Sequence, residues 1–103
     1  GVVSSKGMVS YCGAKAAIIN SMRVIAKEYS SYGIRVNTVS PSDIETPMTQ
    51  TGDIKSFVEN RMDNYPFGLG EPNDVASMIV YLLSDKAKFI SGQNYVIDSG
   101  GVL

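Results

Sequence analysis

The apolar positions divide the chain into elements. From Tyr11 to about Ser30, Ala14, Ala17, Ile18, Met22, Ile25 and Tyr29 recur at steps of three or four, the spacing of one buried helix face. The preceding residues, GVVSSKGMVS, are small, polar and glycine-punctuated, and predict a loop leading into that helix. Gly33 supplies the stop, because glycine takes the left-handed conformation that ends helices. Ile34 to Ser40 (IRVNTVS) alternates, is rich in β-branched residues and predicts a strand, which Pro41 ends. After a breaker-rich loop over 41 to 52, Asp53 is expected to cap a short helix that buries Ile54, Phe57 and Val58. A second breaker-rich stretch runs from Asn64 to Gly70. Glu71 and Pro72 then open another helix, with Pro72 at the tolerated first position and Asp74 near the positive end of the dipole. Val75, Met78, Ile79 and Leu82 form its inner stripe, while Val80, Tyr81 and Leu83 make it apolar on most sides, so cover on both faces is expected. Beyond a polar turn at Ser84 to Lys88, Asn94 to Asp98 (NYVID) predicts a second strand, closed by Ser99 to Gly101.

Two strands separated by helices indicate an α/β fold, and parallel strands need both faces covered and further strands beside them. Alone they leave unpaired edges, so an incomplete domain is expected: part of a larger sheet. Composition changes this picture little. With 44% hydrophobic residues among 103, the chain can bury one modest core, and one globular unit is expected. Lys and Arg number 9 against 10 for Asp and Glu, without blocks of like charge, which weighs against a nucleic-acid or polybasic membrane surface. The longest apolar run, Met78 to Leu83, is too short to span a bilayer, and the first residues carry no basic segment followed by an apolar one. A soluble, cytoplasmic chain is the expectation, and the single Cys12, which excludes an internal disulfide, fits a reducing compartment. The absence of His makes a zinc site implausible and excludes a histidine base.

Candidate chemistry begins at Tyr11-Cys12-Gly13-Ala14-Lys15. A phenol and an ammonium four residues apart at the start of a helix lie on one side, one turn apart. A nearby fixed cation favours the phenolate, moving a phenol toward the range where it exchanges protons near neutral pH, so the pair can act as a general acid for carbonyl reduction. By itself Tyr-x-x-x-Lys is common on helices, and a solvated Lys beside a half-buried Tyr explains it as well. Cys12 points about 100° away from Tyr11 around the helix, and a small buried thiol is the expectation there rather than a redox group.

Three further blocks join this one. YCGAKAAI, YGIRVNTVSPSDIETPM, GEPNDVASMIVYLLSD and ISGQNYVIDSGG occur in an order and spacing that resembles the C-terminal part of the classical short-chain dehydrogenase/reductase family, over the whole chain. The resemblance implies the C-terminal portion of a Rossmann-type, doubly wound parallel sheet, residues 1 to 103 forming part of one NAD(P)-binding domain. It implies that Tyr11 is the catalytic acid/base and also belongs, with Lys15, to the cofactor-binding residues, Lys15 hydrogen-bonding the nicotinamide ribose and lowering the Tyr pKa. Pro41, Ser42, Ile44 and Thr46 match the loop against the nicotinamide, with backbone groups near Ile44 holding the carboxamide and the Thr46 hydroxyl adding a polar contact. Asn37 matches a family position that pins the strand to a neighbouring loop. Ser42 departs from the pattern, since the family has Gly after the proline and Gly permits close approach of backbone to cofactor; tolerance is expected.

The same resemblance shows what these residues do not contain. The family's catalytic Ser lies thirteen positions before its Tyr, which falls ahead of Gly1; Ser4 and Ser5 do not match it, and Gly1 looks like the Gly that shortly follows it. The Gly-rich pyrophosphate turn, the residue that selects NAD or NADP and the Asn of the proton relay are not found either. The expectation is an NAD(P)-dependent oxidoreductase interconverting a carbonyl and a secondary alcohol, most like a 3-oxoacyl-[acyl-carrier-protein] reductase, with sugar-alcohol, steroid and other secondary alcohols open. The 103 residues alone are expected to be inactive. A homo-oligomer is expected, and the alternative is a non-catalytic self-association module built on the Tyr11 to Ser30 helix and the last helix and strand.

Overall fold

The structure, a computed structural model, describes residues 7–101. Gly1, Ser4 and Ser5 lie outside the described residues, as does most of the leading loop. Helix α1 spans Val9–Tyr29, β1 Thr38–Pro41, α2 Gly52–Glu59, α3 Pro72–Leu83 and β2 Asn94–Ile97, with single 3-10 turns at Ser30–Tyr32, Met48–Gln50, Met62–Asn64 and Asp85–Ala87. The described residues form two compact units, residues 7–38 with 84–95 and residues 39–83 with 96–101. Strands β1 and β2 pair. Thr38 N–H donates to the Gln93 carbonyl (2.9 Å) and Ser42 N–H to that of Ile97 (3.0 Å). Equal steps in the same direction make the pair parallel.

In the first unit α1 runs to a left-handed Gly33 (φ 72°), whose N–H donates to the Ser30 carbonyl (3.0 Å), as the sequence leads one to expect. Its covered face is not the expected one. Met22 and Ala26 are buried, with Cys12 and Ile19 half-buried on the same side. Ala14, Ala17, Ile18, Ile25 and Tyr29 are exposed. The true seam lies about a quarter-turn around the helix from the apolar stripe, because small residues let other segments approach: an added Cβ at Gly92 would stand 3.8 Å from that of Ala26. Cys12 is therefore half-buried rather than buried.

The strand expected over Ile34 to Ser40 begins only at Thr38. Residues 35 to 37 instead bond to the loop before β2. Val36 N–H donates to Ser91 Oγ (3.1 Å), and Gly92 N–H donates to the Val36 carbonyl (2.7 Å). Arg35 reaches the Ile90 and Ser84 carbonyls (3.2 and 3.4 Å). Asn37 spans the loop from both ends of its amide, Nδ2 donating to the Ile90 carbonyl (3.0 Å) and Oδ1 accepting from Gln93 N–H (3.1 Å). That is the strand-to-loop pin expected of it.

In the second unit α3 begins at Pro72 as expected. Asp74 does more than face the dipole, since its carboxylate accepts from Glu71 N–H (2.7 Å), one half of a capping box. Leu82 is buried and Val75 and Met78 half-buried, whereas Ile79, Val80, Tyr81 and Leu83 stay exposed, so the expected cover on both faces is not supplied by the described residues. Asp53 is not the cap of α2. Thr51 holds that position without a side-chain cap bond, and Asp53 sits in the first turn. Of the expected core of α2, Val58 is buried (2% exposed) but Ile54 is exposed, and the side chain of Phe57 lies outside the described residues. Strand β2 ends one residue before Asp98, which turns the chain by accepting from Gly100 N–H (3.0 Å). Among the described residues no helix is long and apolar enough to cross a membrane.

Candidate active site

The expected site residues fall into two groups, each described by itself. On α1, four residues of helix bring Tyr11 and Lys15 to one side, with the Lys15 ammonium 5.6 Å from the centre of the Tyr11 ring. Tyr11 is 57% exposed and Lys15 is exposed. Among the described residues Lys15 has no carboxylate partner, so a cation and a phenol are presented together.

In the second unit, β1 delivers the chain into the loop that holds Pro41, Ser42, Ile44 and Thr46. This loop is fastened to the segment before α3. Ile44 and Gly70 form a parallel bridge, with Glu45 N–H donating to the Gly70 carbonyl (2.6 Å) and Gly70 N–H to that of Asp43 (3.3 Å). A Cβ at 70 would stand 2.5 Å from Ile44 Cδ1, so a side chain there would make the end of the Ile44 side chain turn aside. Ser42 is accommodated where the related pattern has Gly. Among the described non-glycine residues only Ser99 has positive φ, so Ser42 carries no left-handed strain. Its hydroxyl lies 2.9 Å from that of Tyr65.

Tyr65, Asp43 and Arg61 were not legible as site residues. Tyr65 is 4% exposed, and its hydroxyl donates to Asp43 Oδ2 (2.5 Å). The Arg61 guanidinium stands 3.4 Å from the same oxygen and 5.9 Å over the Tyr65 ring. Ser42, Asp43, Ile44, Tyr65 and Leu69 line a small cavity of about 80 Å³. Burial raises the Tyr65 pKa above its ordinary value, helped by the hydrogen bond to Asp43 and by that carboxylate's charge, and opposed by Ser42 and Arg61. Tyr65→Phe should cost about 1–3 kcal/mol at pH 7, because the Asp43 carboxylate loses a donor. A group whose folded pKa lies above the unfolded value of about 10 adds stability that is complete below that pH and lost as pH rises through the folded pKa. The gap between wild type and Tyr65→Phe should therefore narrow above about pH 10, as urea melts at neutral and alkaline pH would show; a gap that widens there would be the wrong sign.

Thr49 was also missed. It is the buried polar residue of the described chain (8% exposed), and its Oγ donates to the Ile44 carbonyl (2.7 Å) and accepts from Thr46 N–H (2.9 Å). The Thr-x-x-Thr spacing at 46 and 49 is the available sequence signal, since Ser and Thr hydroxyls close such turns locally.

Comparison with known proteins places this architecture. A family model described as enoyl-(acyl carrier protein) reductase, of the short-chain dehydrogenase/reductase type, matches residues 1–101. The 2-(S)-hydroxypropyl-CoM dehydrogenase 3 of Xanthobacter autotrophicus is 40% identical over 97% of this chain and 42% of its own. The 3-oxoacyl-[acyl-carrier-protein] reductase FabG of Thermotoga maritima is 38% identical over 100% of this chain and 42% of its own. A 4-hydroxyisoleucine dehydrogenase solved with NADH and succinate superposes with a TM-score of 0.75 at 36% identity, covering 88% of this chain and 37% of that one. The chain spans about two fifths of the length of the curated relatives it matches. Its α/β architecture with a parallel strand pair is that of the corresponding part of their Rossmann-type sheet. With the match running through 101 of its 103 residues, the chain belongs to the short-chain dehydrogenase/reductase family.

Proposed function

We propose that this chain forms part of one NAD(P)-binding domain of an oxidoreductase that interconverts a carbonyl and a secondary alcohol. The observation that carries this reading is the exposed phenol of Tyr11 with the Lys15 ammonium one turn away, which has no carboxylate partner among the described residues. In reduction the Tyr11 hydroxyl gives its proton to the carbonyl oxygen as the carbon receives hydride; in oxidation it takes the proton back. Lys15 offers three donors without an acceptor, which suits the hydroxyls of a ribose. Pro41 and Ser42 carry the chain past the nicotinamide, while the Ile44 backbone and the Thr46 hydroxyl hold its carboxamide. The donor set fits the group, since the loop presents a carbonyl and a hydroxyl to a ligand part with both an acceptor and donors. The nicotinamide, when bound, supplies or accepts the hydride.

A 3-oxoacyl group carried on acyl carrier protein is the substrate class we favour, on the likeness to FabG of Thermotoga maritima, 38% identical over the whole chain, although the 2-(S)-hydroxypropyl-CoM dehydrogenase is 40% identical. The other named relative acts on a secondary alcohol of a different kind, so the reaction class is better supported than the substrate. A cytoplasmic homo-oligomer belongs to the same reading.

The test is isotopic. The protein carrying these residues, incubated with 4-deuterated NADH or NADPH and a panel of 3-oxoacyl thioesters and simple ketones, should yield an alcohol with deuterium on the carbinol carbon. The 103 residues alone should yield none, because they contain no glycine-rich pyrophosphate turn. Deuterium transfer with neither cofactor would overturn the reading.

A further inference from the structure

We propose that Thr49 is a positioning residue whose hydroxyl fixes the backbone of residues 44 to 46 in the form that receives a primary carboxamide, an inference that rests on reading this loop as the nicotinamide loop. A threonine hydroxyl has one proton and two lone pairs. Here it uses both abilities on the loop, accepting from Thr46 N–H at 2.9 Å and directing its one proton to the nearer of two carbonyls, that of Ile44 at 2.7 Å rather than that of Thr46 at 3.0 Å. The turn is closed a second time by Thr49 N–H, which donates to the Thr46 carbonyl at 3.1 Å. These bonds decide what the loop offers to a ligand. Thr46 N–H is occupied, and the Ile44 carbonyl keeps one lone pair and a fixed direction. The Thr46 hydroxyl accepts only a long contact from Thr49 N–H (3.4 Å) and donates to no described residue. The Ile44 carbonyl thus keeps an acceptor site and the Thr46 hydroxyl a donor, groups complementary to an amide NH₂ and its carbonyl. Thr49 itself is buried. It acts through Ile44 and Thr46, and the 3-10 turn Met48–Gln50 that carries it is tied on by Thr51 Oγ donating to the Pro47 carbonyl (3.2 Å).

Valine at 49 keeps the volume and removes the hydroxyl; serine keeps the hydroxyl. In the protein carrying these residues, Thr49→Val should weaken NADH or NADPH, whichever the wild type binds, by about fivefold to tenfold, the loss of one or two neutral hydrogen bonds. Thr49→Ser should bind like the wild type. ADP-ribose, or its 2′-phosphate if NADPH is the cofactor, lacks the nicotinamide and should bind all three proteins equally. Wild-type affinity for the dinucleotide in Thr49→Val overturns the proposal, and so does parallel weakening of ADP-ribose, which marks a general structural defect. If Thr49→Val does not fold, Thr49→Cys replaces it: a thiol donates more weakly, so intermediate dinucleotide affinity is expected and wild-type affinity overturns the proposal. Wild-type protein that binds neither dinucleotide overturns the loop's assignment as well, which separates that failure from a failure of Thr49 alone.

Discussion

Tyr11→Phe is expected to lower turnover by about 10²–10⁴-fold in the protein that carries these residues, the usual contribution of a positioned proton donor. Phenylalanine keeps the ring and removes only the hydroxyl. Tyr11 is largely exposed, and its oxygen makes no hydrogen bond to another described residue, so stability should change by less than about 0.5 kcal/mol. Dinucleotide affinity should fall far less than turnover, because Tyr11 is one of several residues proposed to hold the cofactor and Lys15 and the loop from Pro41 to Thr46 are left in place. The loss should therefore appear in kcat with little change in the dissociation constant, as expected for an interaction made only in the transition state. Following NAD(P)H absorbance, with a thermal melt as control, checks both halves. Turnover near the wild-type value would remove Tyr11 from the chemistry.

How much of this was legible follows from where the information resides. The start of α3 was readable because Pro72 and Asp74 act within one turn of themselves. The pin at Asn37 was readable only through the family resemblance, because its partners lie more than fifty residues away. Strand β1 was misjudged for the same reason. The residues from Ile34 to Asn37 have the composition of a strand, but Ile34 N–H donates back to the Tyr29 carbonyl and a loop rather than a strand receives the bonds of Arg35, Val36 and Asn37, so the ladder starts at Thr38. In α1 the apolar stripe and the covered face differ, because periodicity reports which side is apolar and not what covers it. At the site, chemistry carried by side chains four apart could be found. The Tyr65, Asp43 and Arg61 cluster could not, since it joins a loop to a turn some twenty residues later through groups that look unremarkable in sequence. Thr49 stood in view as one more polar residue of a loop, and only its burial gives its hydroxyl a task.

The second large effect concerns association, and it starts from the stripe that this chain leaves bare. Ile18, Val24, Ile25 and Tyr29 on α1 are exposed, as are Ile79, Val80 and Leu83 on α3. The 103-residue chain should therefore self-associate, because helices that each leave several large apolar side chains in water gain by burying them. Ile18→Glu should shift it toward monomer. Glutamate is a good helix former, so α1 is preserved, while about 2 kcal/mol of apolar burial is lost per copy, a weakening of about thirtyfold or more in the dissociation constant. Light scattering across a concentration series measures both proteins. A wild-type chain that stays a monodisperse monomer at high concentration would end the association reading. Seven-residue steps put Tyr11, Ile18 and Ile25 nearly in line along α1. Whatever covers Ile18 in the assembled protein thus lies two turns from the phenol, and a self-contact that spread along this line would cover Tyr11. For both readings to hold in one protein, the contact must stop short of the first turn of α1. In that case Ile18→Glu should change the oligomer and leave the proton transfer at Tyr11 intact.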